Sequence, residues 1–214
     1  MEKIDYKKQQ KALYGPKTEP ILIEVPEMCF IAVDGRGNPN EPEGDYQSAV
    51  ALLYALAYTI KMAPKSGMVI EGYSNYVMPP LEGLWWLDKG REPDFGDKSQ
   101  YCWTSLVRQP DFVTEALFEQ VKTLVKKKKP LLDIDRARLL TFTEGLCVQC
   151  MHIGRFDDEP ATLEKMKLYM TDNGLVCDLS DTRKHHELYF SDPRKGDISK
   201  MKTILRYPVR LMDR

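Results

Sequence analysis

The sequence has almost no net charge, because its 31 Lys and Arg residues nearly balance its 32 Asp and Glu residues to give a formal charge of -1. A protein without an excess of positive charge has no general attraction to nucleic acid or to anionic lipid. The local exception is the run Lys126–Lys129, which stands where a helix is predicted to end and where cations complement the helix dipole. We therefore expect no direct binding of nucleic acid.

Long apolar runs are missing as well. No stretch approaches the roughly 18 apolar residues that a membrane-spanning helix needs. The charged start, MEKIDYKKQQ, has no apolar core of the kind found in secretory signals. The five cysteines are an odd, scattered set, which is typical of reduced thiols. These absences predict a cytoplasmic protein that contacts no membrane.

Metal ligands are scarce in the sequence. Two of its three histidines stand together in HHELYFSDPRK, residues 185–195, where His185, His186 and Glu187 suggest a metal site. Side chains alternate along a strand, so His186 would face away from the other two, and zinc would need further ligands from elsewhere in the chain. We expect no metal and no organic cofactor, and we expect His186 to be a surface histidine or a structurally paired one.

Cys147 and Cys150 form a C-x-x-C sequence inside GLCVQCMHI, which reads as a strand. An offset of three residues on a strand directs the two side chains to opposite faces. A zinc or dithiol site is therefore not expected at this pair.

The hydrophobic pattern predicts strands and helices in an order that occurs twice. The first set comprises strands at 21–25 and 28–37, a helix from Asp45 to about Met62, and strands at 81–87 and 101–109. A connecting helix at about 111–129 follows, with Asp111 as its expected N-cap and Pro130 as its end. The second set comprises a strand at 144–155, a helix in EPATLEKMKLYMTDNG, and strands at 186–192 and 202–210.

Short similarities between the two sets indicate a duplication. LVRQP (106–110) resembles ILRYP (204–208), and LWWLD (84–88) resembles LYFSD (188–192). We therefore predict one α+β domain over residues 1–214, built from two β-α-β-β repeats at about 20–110 and about 142–211. The repeats would be related by a pseudo-two-fold axis. Helices would pack on a mostly antiparallel sheet, with a ligand cleft at the centre.

Glu187 is the first candidate functional residue, because it lies within a strand that should be half-buried and next to aromatic residues. An unpaired carboxylate in such a place is costly, and proteins that keep one often use it to bind a cation or as a base. A structural ion pair or an exposed position is an equally good interpretation. The alignment of the repeats sets Glu187 against Gly83, so one repeat offers an acid where the other offers space.

Aromatic residues are concentrated on the strands that carry these positions. Trp85 and Trp86 are consecutive, so one faces each side of the sheet, whereas Tyr101 and Trp103 share a face of the next strand. With Tyr189 they would form a cage suited to a planar aromatic ligand, each stacking contact contributing about 1 kcal/mol. Core filling is the alternative for each of them.

The segment SGMVIEGYSNYVMPP before the tryptophan strand adds Tyr73, Tyr76 and Met78. It is either a lid over the groove or a packed connector, and we favour the lid.

Several stretches together resemble a known family: VPEMCFIAVDGRGNPNEP, YALAYTIKM, PPLEGLWW, WTSLVRQPDFVT, HHELYFSDPRK and TILRYPV. They resemble the GyrI-like small-molecule-binding proteins, which are related to the effector-binding domains of multidrug-sensing transcription regulators. The resemblance implies a duplicated β-α-β-β fold with a hydrophobic cleft and one acid that meets the ligand, which is Glu187 by its motif. Because only about 20 residues precede the matching part, we expect no helix-turn-helix unit and no transcription regulator.

GRGNPN and PPLEGLWW resemble a stand-alone subfamily, some members of which hydrolyse cyclopropane-bearing, DNA-alkylating natural products inside an aromatic cage. The resemblance implies a cofactor-free hydrolase in which Glu187 orients or deprotonates a water. A tyrosine hydroxyl, assigned to Tyr189, would donate to the carbonyl oxygen that gains charge. The remaining cage residues would hold the planar ligand: Trp85, Trp86, Tyr101 and Trp103.

Two other functions use the same features. The protein could sequester flat hydrophobic or cationic compounds without converting them, which requires the same cleft. Inhibition of a DNA-handling enzyme through protein contact is suggested by the family's name alone, and it would not depend on the aromatic residues.

Overall fold

The computed structural model of the chain describes residues 3–87, 97–191 and 197–212. Within these ranges the strands are β1 (Ile21–Arg36), β2 (Leu81–Leu87), β3 (Tyr101–Gln109), β4 (Ala137–Ile153), β5 (Leu175–Cys177), β6 (His185–Tyr189) and β7 (Lys202–Leu211). The α-helices are α1 (Tyr6–Gln9), α2 (Lys11–Tyr14), α3 (Asp45–Met62), α4 (Glu115–Lys128) and α5 (Glu159–Asp172). Short 3₁₀ helices span Ala63–Ser66, Lys98–Gln100, Ile134–Arg136, Phe156–Asp158 and Ile198–Lys200.

The order of these elements confirms the predicted α+β fold. A strand, a long helix and two strands occur first as β1, α3, β2 and β3, and then again as β4, α5, β6 and β7. Two parts of the prediction lie outside the described residues: positions 88–96 of the loop between the two tryptophan-bearing strands, and residues 192–195 of the HHELYFSDPRK motif.

Several details differ from the prediction; β4, for example, begins at Ala137, seven residues before the strand predicted at 144–155. The first strand continues through Pro26 as part of β1, since the fixed φ of proline is compatible with extended backbone. The N-cap of α4 lies three residues after the expected one, because the Thr114 hydroxyl accepts a hydrogen bond from the Leu117 N–H at 3.2 Å and so caps the helix in place of Asp111. The short strand β5 was not predicted.

The chain forms two compact units. Unit 1 comprises residues 1–5, 28–79 and 87–142. In it, β1 pairs with β3 in antiparallel register from Cys29 opposite Gln109 to Arg36 opposite Cys102. Helix α3 contacts both β3 and α4, and it buries the apolar residues Leu53, Leu56 and Ile60 completely. The apolar spacing read from the sequence therefore marks the core face of this helix.

Unit 2 comprises residues 6–27, 80–86 and 143–214. Its strands pair in antiparallel fashion, β2 with β6, β6 with β7, and β7 with both β4 and β5. Helix α5 contributes Met166 and Met170 to an apolar cluster with residues of β4 and β7, among them Val148, Leu205 and Val209. This unit carries the HHELYF motif on β6.

None of the helices in the described ranges combines the length and the apolar character that crossing a bilayer demands.

Candidate functional site

Strand β6 displays its side chains alternately on two faces. His185, Glu187 and Tyr189 are partly exposed, whereas His186 and Leu188 between them are buried. On the paired strand β2, Gly83 lies opposite Glu187 and Trp85 lies opposite His185. Residues opposite each other in an antiparallel pair share a face. Trp85 therefore shares the face of Glu187, and Trp86 belongs to the other face.

A chain of hydrogen bonds connects the residues of this face. The Trp85 indole Nε1–H donates to the Tyr189 hydroxyl at 2.7 Å, and that hydroxyl donates to Glu187 Oε2 at 2.8 Å. His185 Nε2 lies 3.0 Å from Glu187 Oε1. These bonds hold the carboxylate in place, and the Glu187 side chain is 13% exposed. Each oxygen keeps a second acceptor position for a ligand or a water.

Gly83 makes room for the first of these bonds. A Cβ atom at this position would lie 2.7 Å from Trp85 Nε1 and 3.1 Å from the Tyr189 hydroxyl. The indole therefore occupies the volume that any other residue would fill. The alignment of the two repeats suggested empty space at Gly83, and the Trp85 indole fills that space.

Two further aromatic rings border the group. Tyr207 stacks on the His185 imidazole, with ring centroids 4.4 Å apart and planes at 27°. Phe156 meets the Tyr189 ring edge-on, with centroids 5.9 Å apart. We call the set Trp85, His185, Glu187 and Tyr189, with the bordering rings of Phe156 and Tyr207, the Glu187 cluster. It combines one carboxylate with flat, polarizable surfaces.

The other predicted cage residues have different surroundings. The Lys184 ammonium lies 4.9 Å from the centre of the Trp86 ring. Trp103 belongs to unit 1, where it is fully buried, packs edge-on against Tyr46 with centroids 5.1 Å apart, and fills the space over Gly35. Tyr101 also belongs to unit 1 and is partly exposed. The roles of Trp86, Tyr101 and Trp103 in a ligand cage stay predictions.

On the opposite face of the strands, unit 2 buries a group of charged residues. The His186 imidazole lies between two carboxylates, 3.1 Å from Glu82 and 2.9 Å from Glu144. The Arg206 guanidinium approaches Glu144 to 2.6 Å and bonds Gln149 Oε1 at 3.0 Å. We call Glu82, Glu144, His186 and Arg206 the buried ion cluster. His186 is thus a structurally paired histidine, one of the two interpretations given for it.

The charges of this cluster shift the pKa values of its members. Burial alone would raise the pKa of Glu144, but the positive charges of Arg206 and His186 outweigh it and lower the pKa to about 2. Burial alone would lower the pKa of His186, but the carboxylates of Glu144 and Glu82 outweigh it and raise the pKa to about 9. Both groups are therefore charged at neutral pH.

The segment before β2 has the packing of a connector and not of the lid that we favoured. Tyr76 is fully buried in unit 1. The Tyr73 hydroxyl donates to the Lys61 carbonyl at 3.0 Å, and the Tyr73 ring contacts Phe112 with centroids 5.2 Å apart. The part of the segment that carries the two tyrosines is thus packed against unit 1, although Val69 before it is exposed.

The two cysteines of the C-x-x-C sequence lie three residues apart on β4, and both are buried with free thiols. Burial raises the pKa of Cys147 to about 12 and that of Cys150 to about 11, so both thiols are protonated and unreactive at neutral pH. Within residues 3–87, 97–191 and 197–212, no three His, Cys, Asp or Glu residues are grouped to hold a metal ion.

With this geometry established, comparisons with known proteins give the family. Residues 18–210 match the family described as a GyrI-like small molecule binding domain. The chain belongs to this family. A search of curated proteins gave no match.

Several solved structures are similar to this GyrI-like protein. A hydrolase from Listeria innocua is 49% identical with a TM-score of 0.88, and an uncharacterized conserved protein from Listeria innocua is 50% identical with a TM-score of 0.92. Each alignment covers 97% of this chain and 100% of the other. The C-terminal domain of EcmrR shares the fold at 14% identity and a TM-score of 0.53, over 91% of this chain and 98% of that one.

Sequence reasoning missed three members of the Glu187 cluster in this GyrI-like chain. His185 was considered as a metal ligand and then set aside, although the alternation H-x-E-x-Y places its side chain beside Glu187 on a strand. Phe156 and Tyr207 gave no local signal. Phe156 lies in a 3₁₀ helix after β4, and its contact with Tyr189 depends on the tertiary fold.

Proposed function

We propose that this GyrI-like protein is a cofactor-free hydrolase that opens cyclopropane-bearing, DNA-alkylating compounds by adding water. The observation that carries the proposal is the position of Glu187, whose carboxylate is held from both sides by His185 and Tyr189 and whose side chain is partly exposed beside Trp85. The name hydrolase given to a 49% identical protein from Listeria innocua supports the same reaction class.

The proposed reaction adds one water across a strained carbon–carbon bond. A water held by Glu187 attacks the cyclopropane CH₂ carbon and loses a proton to the carboxylate, while the ring C–C bond breaks. The electron pair of that bond moves through the conjugated ring system to the carbonyl oxygen, which becomes a phenolic oxygen. Glu187 then returns the proton through solvent to this oxygen, so the protein ends as it began. A positioned base of this kind contributes about 10²–10⁴-fold to the rate.

We propose a role for Tyr189 different from the one expected from the sequence. Its single hydroxyl proton is donated to Glu187 and is therefore not available to a ligand carbonyl. We assign Tyr189 to holding the carboxylate, and Trp85 to holding Tyr189 and presenting a flat surface to the ligand. Tyr101, Trp103 and Trp86 are not members of the Glu187 cluster, and their roles in a ligand cage stay predictions. Planar, hydrophobic compounds would be the substrates of such a cluster, the protein would act in the cytoplasm, and it would not bind nucleic acid directly.

Turnover of a model compound tests the proposal. A duocarmycin-type cyclopropane alkylator is incubated with substoichiometric protein, and mass spectrometry follows the ring-opened water adduct. We expect adduct in excess of the protein present, and we expect the Glu187→Gln variant to bind the compound but to form adduct at least about 10²-fold more slowly.

Glu164→Gln is the matched control, because Glu164 is an exposed carboxylate on α5 of the same unit that forms a surface ion pair with Lys167, one helical turn away. It should leave the rate unchanged. Adduct no faster than in buffer, or an undiminished rate in the Glu187 variant, would contradict the proposal. Stoichiometric binding without any adduct would instead support the alternative function, sequestration of flat hydrophobic compounds.

A further inference from the structure

The two nitrogens of the His185 ring both face oxygen atoms. Nδ1 lies 3.2 Å from the backbone carbonyl oxygen of Arg206, and Nε2 lies 3.0 Å from Glu187 Oε1. A carbonyl oxygen and a carboxylate oxygen are acceptors, so each contact requires a hydrogen. A neutral imidazole carries a single N–H, and either of its tautomers would set a nitrogen lone pair against an oxygen lone pair.

An imidazole that donates from both nitrogens carries one proton more than a neutral ring. In this arrangement Nδ1–H donates to the Arg206 carbonyl oxygen and Nε2–H donates to Oε1 of an ionised Glu187. The formal charge of the two side chains together is then zero, and the carboxylate stays available as a base. The stacked Tyr207 ring fixes the imidazole in this orientation.

The charged residues on the other face of β6 balance one another. The buried ion cluster lies on the other face of β6, and it sets the two carboxylates of Glu82 and Glu144 against the two cationic groups of His186 and Arg206. The hydroxyl of Tyr189 and the indole of Trp85 contribute dipoles but no charge to the Glu187 cluster.

We infer that His185 neutralises Glu187 and thereby makes the Glu187 cluster select uncharged planar ligands over cations of the same shape. A lone carboxylate among aromatic rings favours a cation through charge and through the ring quadrupoles. When His185 balances its charge, the carboxylate can still accept a hydrogen bond but loses most of its preference for a cation. The inference rests on the proposed function in that it takes this cluster as the ligand site, but it does not require turnover.

Binding of two probes of equal shape tests this selectivity. N-methylacridone is neutral and N-methylacridinium is a permanent cation, and both are planar, three-ring fluorescent compounds. Fluorescence titration at neutral pH gives both dissociation constants for the unmodified protein and for His185→Phe, which keeps a ring against Tyr207 but carries no proton. We expect the unmodified protein to bind the acridone more tightly. In the variant, the ratio of cation affinity to neutral affinity should rise about tenfold or more.

Two further variants complete the test. His185→Gln, an uncharged residue that can still donate to Glu187, should raise the ratio in the same direction and provides the measurement if the Phe variant does not fold. The double variant His185→Phe with Glu187→Gln should return the ratio to that of the unmodified protein, because both partners of the neutral pair are then gone. A ratio unchanged in both single variants, or a rise that persists without Glu187, would overturn the inference.

The outcome is independent of the hydrolysis assay. A protein that forms no water adduct but shows the expected change in the ratio contradicts the proposed reaction and supports the charge balance. A protein that hydrolyses the alkylator but shows an unchanged ratio supports the proposed reaction and contradicts the charge balance.

Discussion

At Glu187 the hydrogen-bond partners decide which chemistry is open to the carboxylate. Tyr189 and His185 each occupy one position on one oxygen, and two positions remain for a water or a ligand. Trp85 in turn holds the Tyr189 hydroxyl, and Gly83 leaves the volume that the indole needs. Each residue in this series thus restricts the side-chain orientation of the next, from Gly83 through Trp85 and Tyr189 to Glu187.

Tyr189→Phe tests whether this positioning matters for the reaction. The variant keeps the ring that contacts Phe156 but removes the hydroxyl that connects Trp85 to Glu187. We expect adduct formation to slow by about tenfold or more, because a misplaced catalytic group loses the advantage of orientation. The dissociation constant of N-methylacridone should change much less than the rate.

Single-turnover kinetics and fluorescence titration measure the two quantities. An equal loss in both would show that Tyr189 holds the ligand and not the base. Unfolding in urea should give the same midpoint for both proteins to within a few tenths of a molar, because Tyr189 is a partly exposed residue.

At the scale of elements, the buried ion cluster joins strands that are distant in sequence. Glu82 comes from β2, His186 from β6, Arg206 from β7 and Glu144 from β4. Arg206 also donates to the carbonyl of Leu13, which ties helix α2 to the same group. One buried network thus fixes the strands that carry the Glu187 cluster on their other face.

Glu144→Gln should destabilise the protein by about 3–5 kcal/mol, because it removes the carboxylate that His186 and Arg206 share and leaves buried positive charge. Urea unfolding followed by circular dichroism measures the loss. The exposed Glu164→Gln change on α5 is the control and should cost less than about 0.5 kcal/mol. Equal stability of the two variants would show that the cluster does not stabilise the fold.

The pKa shifts of the cluster predict where stability depends on pH. Glu144 has a pKa of about 2 in the folded protein against an ordinary 4.5, so its contribution is present above 4.5 and is lost as the pH falls toward 2. His186 has a pKa of about 9 against an ordinary 6.5, so its contribution is present below 6.5 and is lost as the pH rises toward 9.

The free energy of unfolding should therefore be highest between about pH 4.5 and 6.5 and should decline on both sides. Urea titrations across the pH range measure this profile. In a His186→Gln variant the alkaline decline should become shallower, whereas an unaltered alkaline limb would remove His186 as its cause.

The order of elements could be predicted from the sequence because apolar spacing and short repeats are local signals. The register of β2 against β6 is not a local signal. It decides that Trp85 shares the face of Glu187 and that Glu82 meets His186. The partners Glu144 and Arg206 lie 62 positions apart, and nothing in either neighbourhood points to the other.

The surroundings of Trp103 also could not be predicted from the sequence. A tryptophan near a predicted groove is compatible with a ligand cage or with a core, and the sequence left both interpretations open. Its position opposite Gly35 in the β1–β3 pair allows the indole to fill the space over the glycine. In unit 1 it packs as a core residue.

At the scale of the whole molecule, a hydrolase and a sequestering protein differ in how protection depends on dose. A sequestering protein protects a cell until its sites are filled, so protection ends when the compound outnumbers the protein. A hydrolase frees its site after each turnover and continues to protect beyond that ratio. The two functions proposed for this cluster can therefore be separated in living cells.

We expect bacteria that express this protein to survive a cyclopropane alkylator at doses well above the molar amount of protein, and cells that express Glu187→Gln to survive only up to about one compound per site. Survival curves at several expression levels, with protein quantified by immunoblot, measure both limits. Because the Gln variant keeps the aromatic surfaces of Trp85 and Tyr189, it retains binding and isolates the contribution of the carboxylate. Identical curves for the two proteins would show that Glu187 has no catalytic part in the protection, and curves that both end at about one compound per site would assign the protection to binding alone.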